Sequence, residues 1–180
     1  MSALPAAYAW LKKLDPLPKM VTEALALLDT TERPGPGDNP LIMSWVGELG
    51  SGLRRVFTAD SVPWCGLFMA VVAKRAGKTP VPEPLWALNW GQFGQDAGQP
   101  GLGDVLTFIR PGGGGHVALY IGEDTTAYHV LGGNQSDKVC FTRIAKTRNR
   151  AARRPLFMKR PDTVRPFVLV AGGALSSNEA

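Results

Sequence analysis

The sequence of 180 residues contains no apolar run near the ~18 residues that a membrane-spanning helix needs. It also shows no secretory signal at its start, because the basic residues Lys12 and Lys13 come after the apolar stretch, whereas a signal peptide has them before it. We therefore expect a protein that is made in the cytoplasm, spans no membrane, and reaches any other compartment without a signal peptide.

Cysteine and histidine are both scarce, with two residues of each type. Cys65 and Cys140 are too few for a disulfide framework. Together with His116 and His129 they show no spacing typical of a zinc site, so we expect no metal. The glycines at 112–115 lack the Lys-Ser/Thr pair of a phosphate-binding loop, and we expect no cofactor.

Charged residues are also few, at 19% of the chain, and their distribution is uneven. The segment 143–165 holds nine Lys or Arg and a single Asp, a net charge of +8, while the rest of the chain carries −3. This basic segment contains Phe157 as its single aromatic residue, so it lacks the interleaved aromatic side chains of nucleic-acid binders. Nucleic-acid binding is therefore the weakest function class, although the charge would suit any anionic polymer.

The pattern of apolar residues predicts an α+β domain. Hydrophobic residues make up 44% of the chain, which is enough for a sizeable core. Helical spacing predicts helices over 4–14, 21–28, 40–49 and 63–76. Alternation predicts strands over 104–109, 116–122, 126–131 and 138–144. Short loops between these strands predict an antiparallel sheet of about four to six strands, with the helices packed on one face.

Three further segments are less regular. Residues 78–103 are rich in Pro, Gly, Gln and Trp and are predicted as a long loop of the kind that often carries function. Residues 166–170 add a last strand or belong to the tail. Residues 171–180 are small and polar and are expected to fray.

Cys65 is the first candidate for chemistry, because it lies in the first turn of the most apolar predicted helix. Free amide N–H groups and the helix dipole favour a thiolate at that position. Trp64 beside it could shield the site from water. The alternative is that Cys65 is an ordinary core cysteine.

His116 follows the glycines and opens a predicted strand, so it could take the proton of Cys65. A Cys–His pair needs a third group to orient the imidazole. Asn134, at the turn after the next strand, is the favoured candidate, because a loop at the end of that strand can direct its side chain towards the site. His129 within that strand is the alternative, and the Gly-Gly-Asn-Gln sequence at 132–135 is also ordinary turn chemistry.

Four segments in this order resemble small bacterial and phage cell-wall hydrolases of the CHAP and NlpC type. These segments are Asp60-Ser-Val-Pro-Trp-Cys-Gly-Leu-Phe, Gly103-Asp-Val-Leu-Thr-Phe, Gly115-His-Val-Ala-Leu-Tyr-Ile-Gly and Val130-Leu-Gly-Gly-Asn-Gln-Ser-Asp. The resemblance covers about 18–155. It implies a papain-like α+β fold, with a single hydrolase domain over 1–155 and a basic to polar extension over 156–180.

The same resemblance implies Cys65 as nucleophile and His116 as base, with no metal or cofactor. It leaves the third residue open, since the NlpC pattern has a His near His129 and the CHAP pattern has Glu or Asn near Asn134. Three further residues are expected to support the site or to line the substrate cleft: Asp60, Trp64 and Gln135.

The implied activity is that of a cysteine amidase or endopeptidase, which cleaves an amide in the peptide stem of peptidoglycan through a thioester. Which bond is cut stays open. The alternatives are a non-catalytic cell-wall-binding or phage-tail module and, less favoured, a nucleic-acid binder using 143–165. We expect a monomer that acts at the cell wall after phage lysis or delivery by a secretion or tail apparatus. In the case of secretion, an immunity protein in the Cys65 cleft would be a plausible partner.

Overall fold

The computed structural model describes residues 3–170 and 172–179, and it contains three α-helices and a six-stranded sheet in that part of the chain. The α-helices are α1 (Lys19–Ala26), α2 (Pro40–Leu49) and α3 (Cys65–Arg75). Short 3-10 helices cover Ala6–Lys13, Ser51–Arg55, Ala87–Gln92 and Lys146–Arg148. The strands are β1 (Gln95–Asp96), β2 (Val105–Ile109), β3 (Gly115–Glu123), β4 (Ala127–Gly132), β5 (Cys140–Ala145) and β6 (Asn149–Arg154).

The bounds of α2 follow from local chemistry, as the sequence predicted. The side chain of Asn39 accepts a hydrogen bond from the N–H of Leu41, and Pro40 occupies the first helical position. Gly50 ends the helix with a φ of 125°. Helix α3 is buried over its first nine residues, 65–73, which confirms that it is the central helix.

The sheet is antiparallel in the order β1-β6-β2-β3-β4-β5, which confirms the predicted α+β class. Strand β6 lies between β1 and β2, and neither β1 nor β6 was predicted. The sequence of β6, Asn-Arg-Ala-Ala-Arg-Arg, has no apolar alternation and lies in the basic segment, so no local signal marked it as a strand. Residues 166–170 form no strand, although Val168 makes one parallel bridge to Glu123.

The two faces of β3 contribute to different clusters. Val117, Leu119 and Ile121 pack in the same cluster as α3 and Cys65. Ala118 and Tyr120 pack in a second cluster with residues of β2, β4 and β5. The predicted alternation along this strand is therefore confirmed, and the sheet is buried on both sides there.

The C-terminal residues 172–179 run along the sheet, whereas we expected 171–180 to fray. The N–H of Ser176 donates to the carbonyl of Arg143, and the N–H of Ser136 donates to the carbonyl of Asn178. Glu179 is 2% exposed. Ala171 and Ala180 lie outside the described residues. No helix in the described ranges has both the length and the apolar character needed to cross a membrane.

Candidate active site

Cys65 is the first residue of α3, and it lines a cavity of about 290 Å³. Its side chain is close to the start of β3, where the N–H of Val117 donates a hydrogen bond to the sulfur. Gly66 is needed beside it, because a Cβ at that position would lie 2.3 Å from the carbonyl oxygen of Pro84. The loop at Pro84 therefore packs directly on the beginning of α3 and forms one wall of the cleft.

The thiol of Cys65 is protonated at neutral pH. Burial raises the pKa of this thiol, and the N–H groups of Val117 and Gly66 and the charge of Arg110 offset only part of that effect. The N–H groups at the helix start therefore act in the predicted direction, but desolvation is the larger contribution and keeps the pKa of the thiol above its ordinary value.

His116 is fully buried in β3, one residue before the N–H that binds Cys65. Its Nε2 lies 3.1 Å from Oε1 of Gln135, while its Nδ1 is buried and has no hydrogen-bond partner. Burial lowers the pKa of His116 to about 4, against the opposing effects of the Gln135 hydrogen bond and the charge of Glu179. The imidazole is therefore neutral at pH 7.

The amide of Gln135 fixes the tautomer of that imidazole. Its Nε2 donates to the carbonyl of Cys140, which can only accept, so Oε1 must be the atom that faces His116. Oε1 also accepts a hydrogen bond of 3.0 Å from the hydroxyl of Thr142. Since Oε1 is an acceptor, Nε2 of His116 carries the proton and Nδ1 keeps a free lone pair, as a general base requires.

Gln135 thus makes the contact that we predicted for Asn134. Asn134 has a φ of 57°, a turn conformation that asparagine tolerates, and its Oδ1 is buried without a partner. The turn is closed by a hydrogen bond from the N–H of Gln135 to the carbonyl of Lys138. The structure therefore shifts the orienting amide by one residue along the turn, and the assignment to Asn134 is corrected.

His129 belongs to a different cluster, so it does not orient His116. Its Nε2 lies 2.9 Å from Oδ2 of Asp124, and its Nδ1 lies 2.9 Å from the hydroxyl of Tyr8. Arg143 also binds Asp124. Burial would raise the pKa of Asp124, but hydrogen bonds from neighbours including His129 and Arg143 hold it well below its usual range. This cluster ties the first 3-10 helix to β4.

Asp60 and Trp64 support the site without lining the cavity. Oδ2 of Asp60 accepts hydrogen bonds from the N–H groups of Arg33 and Asn39, at 2.8 and 2.7 Å, and so holds the loop before α2. The indole of Trp64 is fully buried and packs under the turn at Gly133, where a Cβ would lie 2.6 Å from Cζ3. Trp64 therefore sets how closely α3 approaches the turn that carries Gln135.

Two features of the site were missed from the sequence. Arg110, directly before the glycines, lines the cavity with Cys65. Trp86, within the predicted long loop, lines it too and is 67% exposed. A tryptophan within a long predicted loop was the sequence signal that could have marked the second of these.

The remaining thiol and acidic groups form no competing site in the described residues. Cys65 and Cys140 are both free, so no disulfide blocks the candidate nucleophile. No group of three or more His, Cys, Asp or Glu side chains is placed to hold a metal ion within 3–170 and 172–179. Comparison with known proteins adds no assignment, because neither a protein-family model nor a curated protein sequence matches the chain.

Proposed function

We propose that the protein is a cysteine hydrolase that cleaves an amide bond through a thioester intermediate. The observation that supports this most is the hydrogen bond of His116 to Gln135, which leaves Nδ1 of a neutral imidazole without a partner in the residue directly before Val117, whose N–H binds the thiol of Cys65. A buried ring nitrogen without a hydrogen-bond partner costs stability, and a catalytic role is one reason for its retention. The role proposed for Nδ1 is to take the proton of the Cys65 thiol.

The mechanism begins with transfer of the Cys65 proton to Nδ1 of His116 as the sulfur attacks the substrate carbonyl. In the resting structure Nδ1 has no partner, and such hydrogen bonds often tighten only when substrate is bound. The N–H of Cys65, at the start of α3, is free of helical bonding and can hold the oxyanion. The amine then leaves with the proton from His116, and water hydrolyses the thioester.

The substrate class rests on the resemblance of four segments to CHAP and NlpC-type hydrolases. We propose that the amide lies in the peptide stem of peptidoglycan and that the fold is papain-like. Action at the cell wall, after phage lysis or delivery by a secretion or tail apparatus, belongs to the same proposal. An immunity protein would then have to cover the cavity between Cys65 and Trp86.

One alternative has an observation in its favour. Cys65 is 4% exposed and His116 is fully buried, as expected of core residues in a non-catalytic cell-wall-binding module. Such a module would bind sacculi without cutting them. The ion pairs of the basic segment 143–165 argue against the nucleic-acid alternative. Five of its cations are paired with carboxylates within the described part of the chain and are not free to bind phosphates. These pairs are Arg143–Asp124, Lys146–Glu123, Arg148–Glu179, Arg153–Asp96 and Arg154–Asp104.

The test is digestion of purified sacculi, with new amine and carboxyl termini identified by mass spectrometry. Wild type should release them, and Cys65→Ala should release none. Cys140→Ser is the matched control, because it removes the other thiol, keeps a donor for the carbonyl of Gln135 and leaves the Cys140 carbonyl that accepts from Gln135. Salt-sensitive retention on sacculi without new termini would favour the binding module, and equal cleavage by Cys65→Ala would refute Cys65 as nucleophile.

A further inference from the structure

Arg110 places a guanidinium group in the cavity that holds Cys65. The residue begins the turn between β2 and β3, where its N–H donates to the carbonyl of Gly114 and its carbonyl accepts from Gly113, both at 3.1 Å. Its side chain lies over Gly114, where a Cβ would come within 2.9 Å of Nη2. The glycine at 114 therefore gives the guanidinium its space beside the cleft.

Within the described residues, Arg110 forms no ion pair with a carboxylate. Its Nε is buried without a hydrogen-bond partner. Arg143, Arg148 and Arg154, which are also partly buried, each bind a carboxylate. A buried N–H donor without an acceptor is costly, so a ligand that supplies the acceptor would bind there.

The surroundings of the guanidinium define the chemistry of that ligand. The other side chains of the cavity are apolar: Val56, Val62, Pro63, Leu85, Trp86 and Ala87. A single guanidinium in an otherwise apolar cleft matches one negative charge, and its planar array of N–H donors fits a carboxylate. A peptide ligand carries such a group as a terminal or side-chain carboxylate.

We infer that Arg110 binds a free carboxylate of the substrate next to the amide that Cys65 attacks, so that the preferred substrates are carboxylate-bearing peptides and not their amidated forms. This inference rests on the proposed hydrolase function. A charge-assisted hydrogen bond in such a site discriminates by about 10- to 100-fold. The preference for carboxylate over carboxamide is therefore expected at that level in kcat/KM.

Alkylation of Cys65 tests the anion site without requiring hydrolysis. Iodoacetate and iodoacetamide differ by a carboxylate against a carboxamide, and peptide mapping separates Cys65 from Cys140, which serves as internal reference. The iodoacetate-to-iodoacetamide rate ratio at Cys65 should fall by about 10-fold or more in Arg110→Gln and only partly in Arg110→Lys. Arg150→Gln, which removes an exposed charge, should leave the ratio unchanged.

Peptide pairs that differ only in a carboxylate or carboxamide next to the scissile bond test the specificity itself. Wild type should prefer the carboxylate, and Arg110→Gln should lose that preference. Equal losses on both peptides in Arg110→Gln, with an unchanged alkylation ratio, would overturn the inference. Failure of wild type to cleave either peptide or sacculi, with an Arg110-dependent alkylation ratio, would instead refute the hydrolase function and leave the anion site standing.

Discussion

Replacing Gln135 by alanine is the sharpest perturbation of the candidate site, because this one side chain forms hydrogen bonds with three partners. Its Oε1 accepts from Nε2 of His116 and from the hydroxyl of Thr142, and its Nε2 donates to the carbonyl of Cys140. Gln135→Ala removes all three hydrogen bonds. It also frees the imidazole of His116 to adopt the tautomer that protonates Nδ1, which cannot act as a base.

The expected magnitude follows from the buried N–H of His116. A buried donor without a partner costs about 1–3 kcal/mol, and each ~1.4 kcal/mol is a factor of ten, so kcat/KM should fall by about 10- to 100-fold. Gln135→Glu keeps the acceptor for His116 but loses the donor to the Cys140 carbonyl and adds a negative charge, so the pKa of His116 should rise. Asn134→Gly is the matched control, because glycine adopts a φ of 57° without strain and the lost Oδ1 has no partner.

Two assays read the outcome separately. Hydrolysis of sacculi gives the change in activity, and two-bond ¹⁵N–¹H correlation spectra give the tautomer of each imidazole. The chain has only two histidines, so His129→Gln assigns both rings. An Nδ1–H pattern for His116 in wild type, or a loss of activity in Asn134→Gly as large as in Gln135→Ala, would refute the role of Gln135.

Two further predictions concern stability. The pKa of His116 is lowered from 6.5 to about 4, so the unfolded chain takes up its proton first as the pH falls, and stability present above pH 6.5 is lost towards pH 4. Urea unfolding should show that the free energy of unfolding falls by roughly 3 kcal/mol between these pH values because of this group. In His116→Gln the free energy of unfolding should fall less over the same pH range, because the titrating group is gone. His129→Gln should destabilise the protein by about 1–3 kcal/mol through Asp124 and Tyr8 while kcat/KM stays near wild type; a selective loss of activity without a change in unfolding would contradict that structural role.

The parts of the fold that could be predicted from the sequence are those determined by interactions between residues close together in the chain. Asn39, Pro40 and Gly50 set the ends of α2 through their own backbone and side-chain chemistry. Strand β6 has no such cause, because its arginines are held by distant groups: Arg154 by Asp104, and Arg153 by the carbonyl of Phe93. A strand stabilised by partners some 50 or 60 residues away leaves no periodicity in its own sequence.

In the candidate site, too, residues marked by their local sequence could be predicted, and a residue placed by distant contacts could not. Cys65 and His116 were predicted because each is rare and each follows a recognisable helix or strand start. Gln135 was not assigned to His116, because the sequence of a turn does not fix which of two neighbouring amides faces the sheet. That choice depends on the backbone at Asn134 and on acceptors in β5, which only the folded chain brings together.

Burial moves the pKa values of Cys65 and His116 in opposite directions, but both shifts favour the uncharged pair. The thiol pKa is raised and the imidazole pKa falls to about 4, so neither group is ionised across the whole interval between them. A thiolate–imidazolium pair in the resting site would have to overcome both desolvation costs at once. In the proposed mechanism, transfer of the proton during attack avoids this cost, because the negative charge passes to the oxyanion, which the N–H of Cys65 at the start of α3 can hold. The resting thiol therefore stays protonated, which makes it resistant to oxidation.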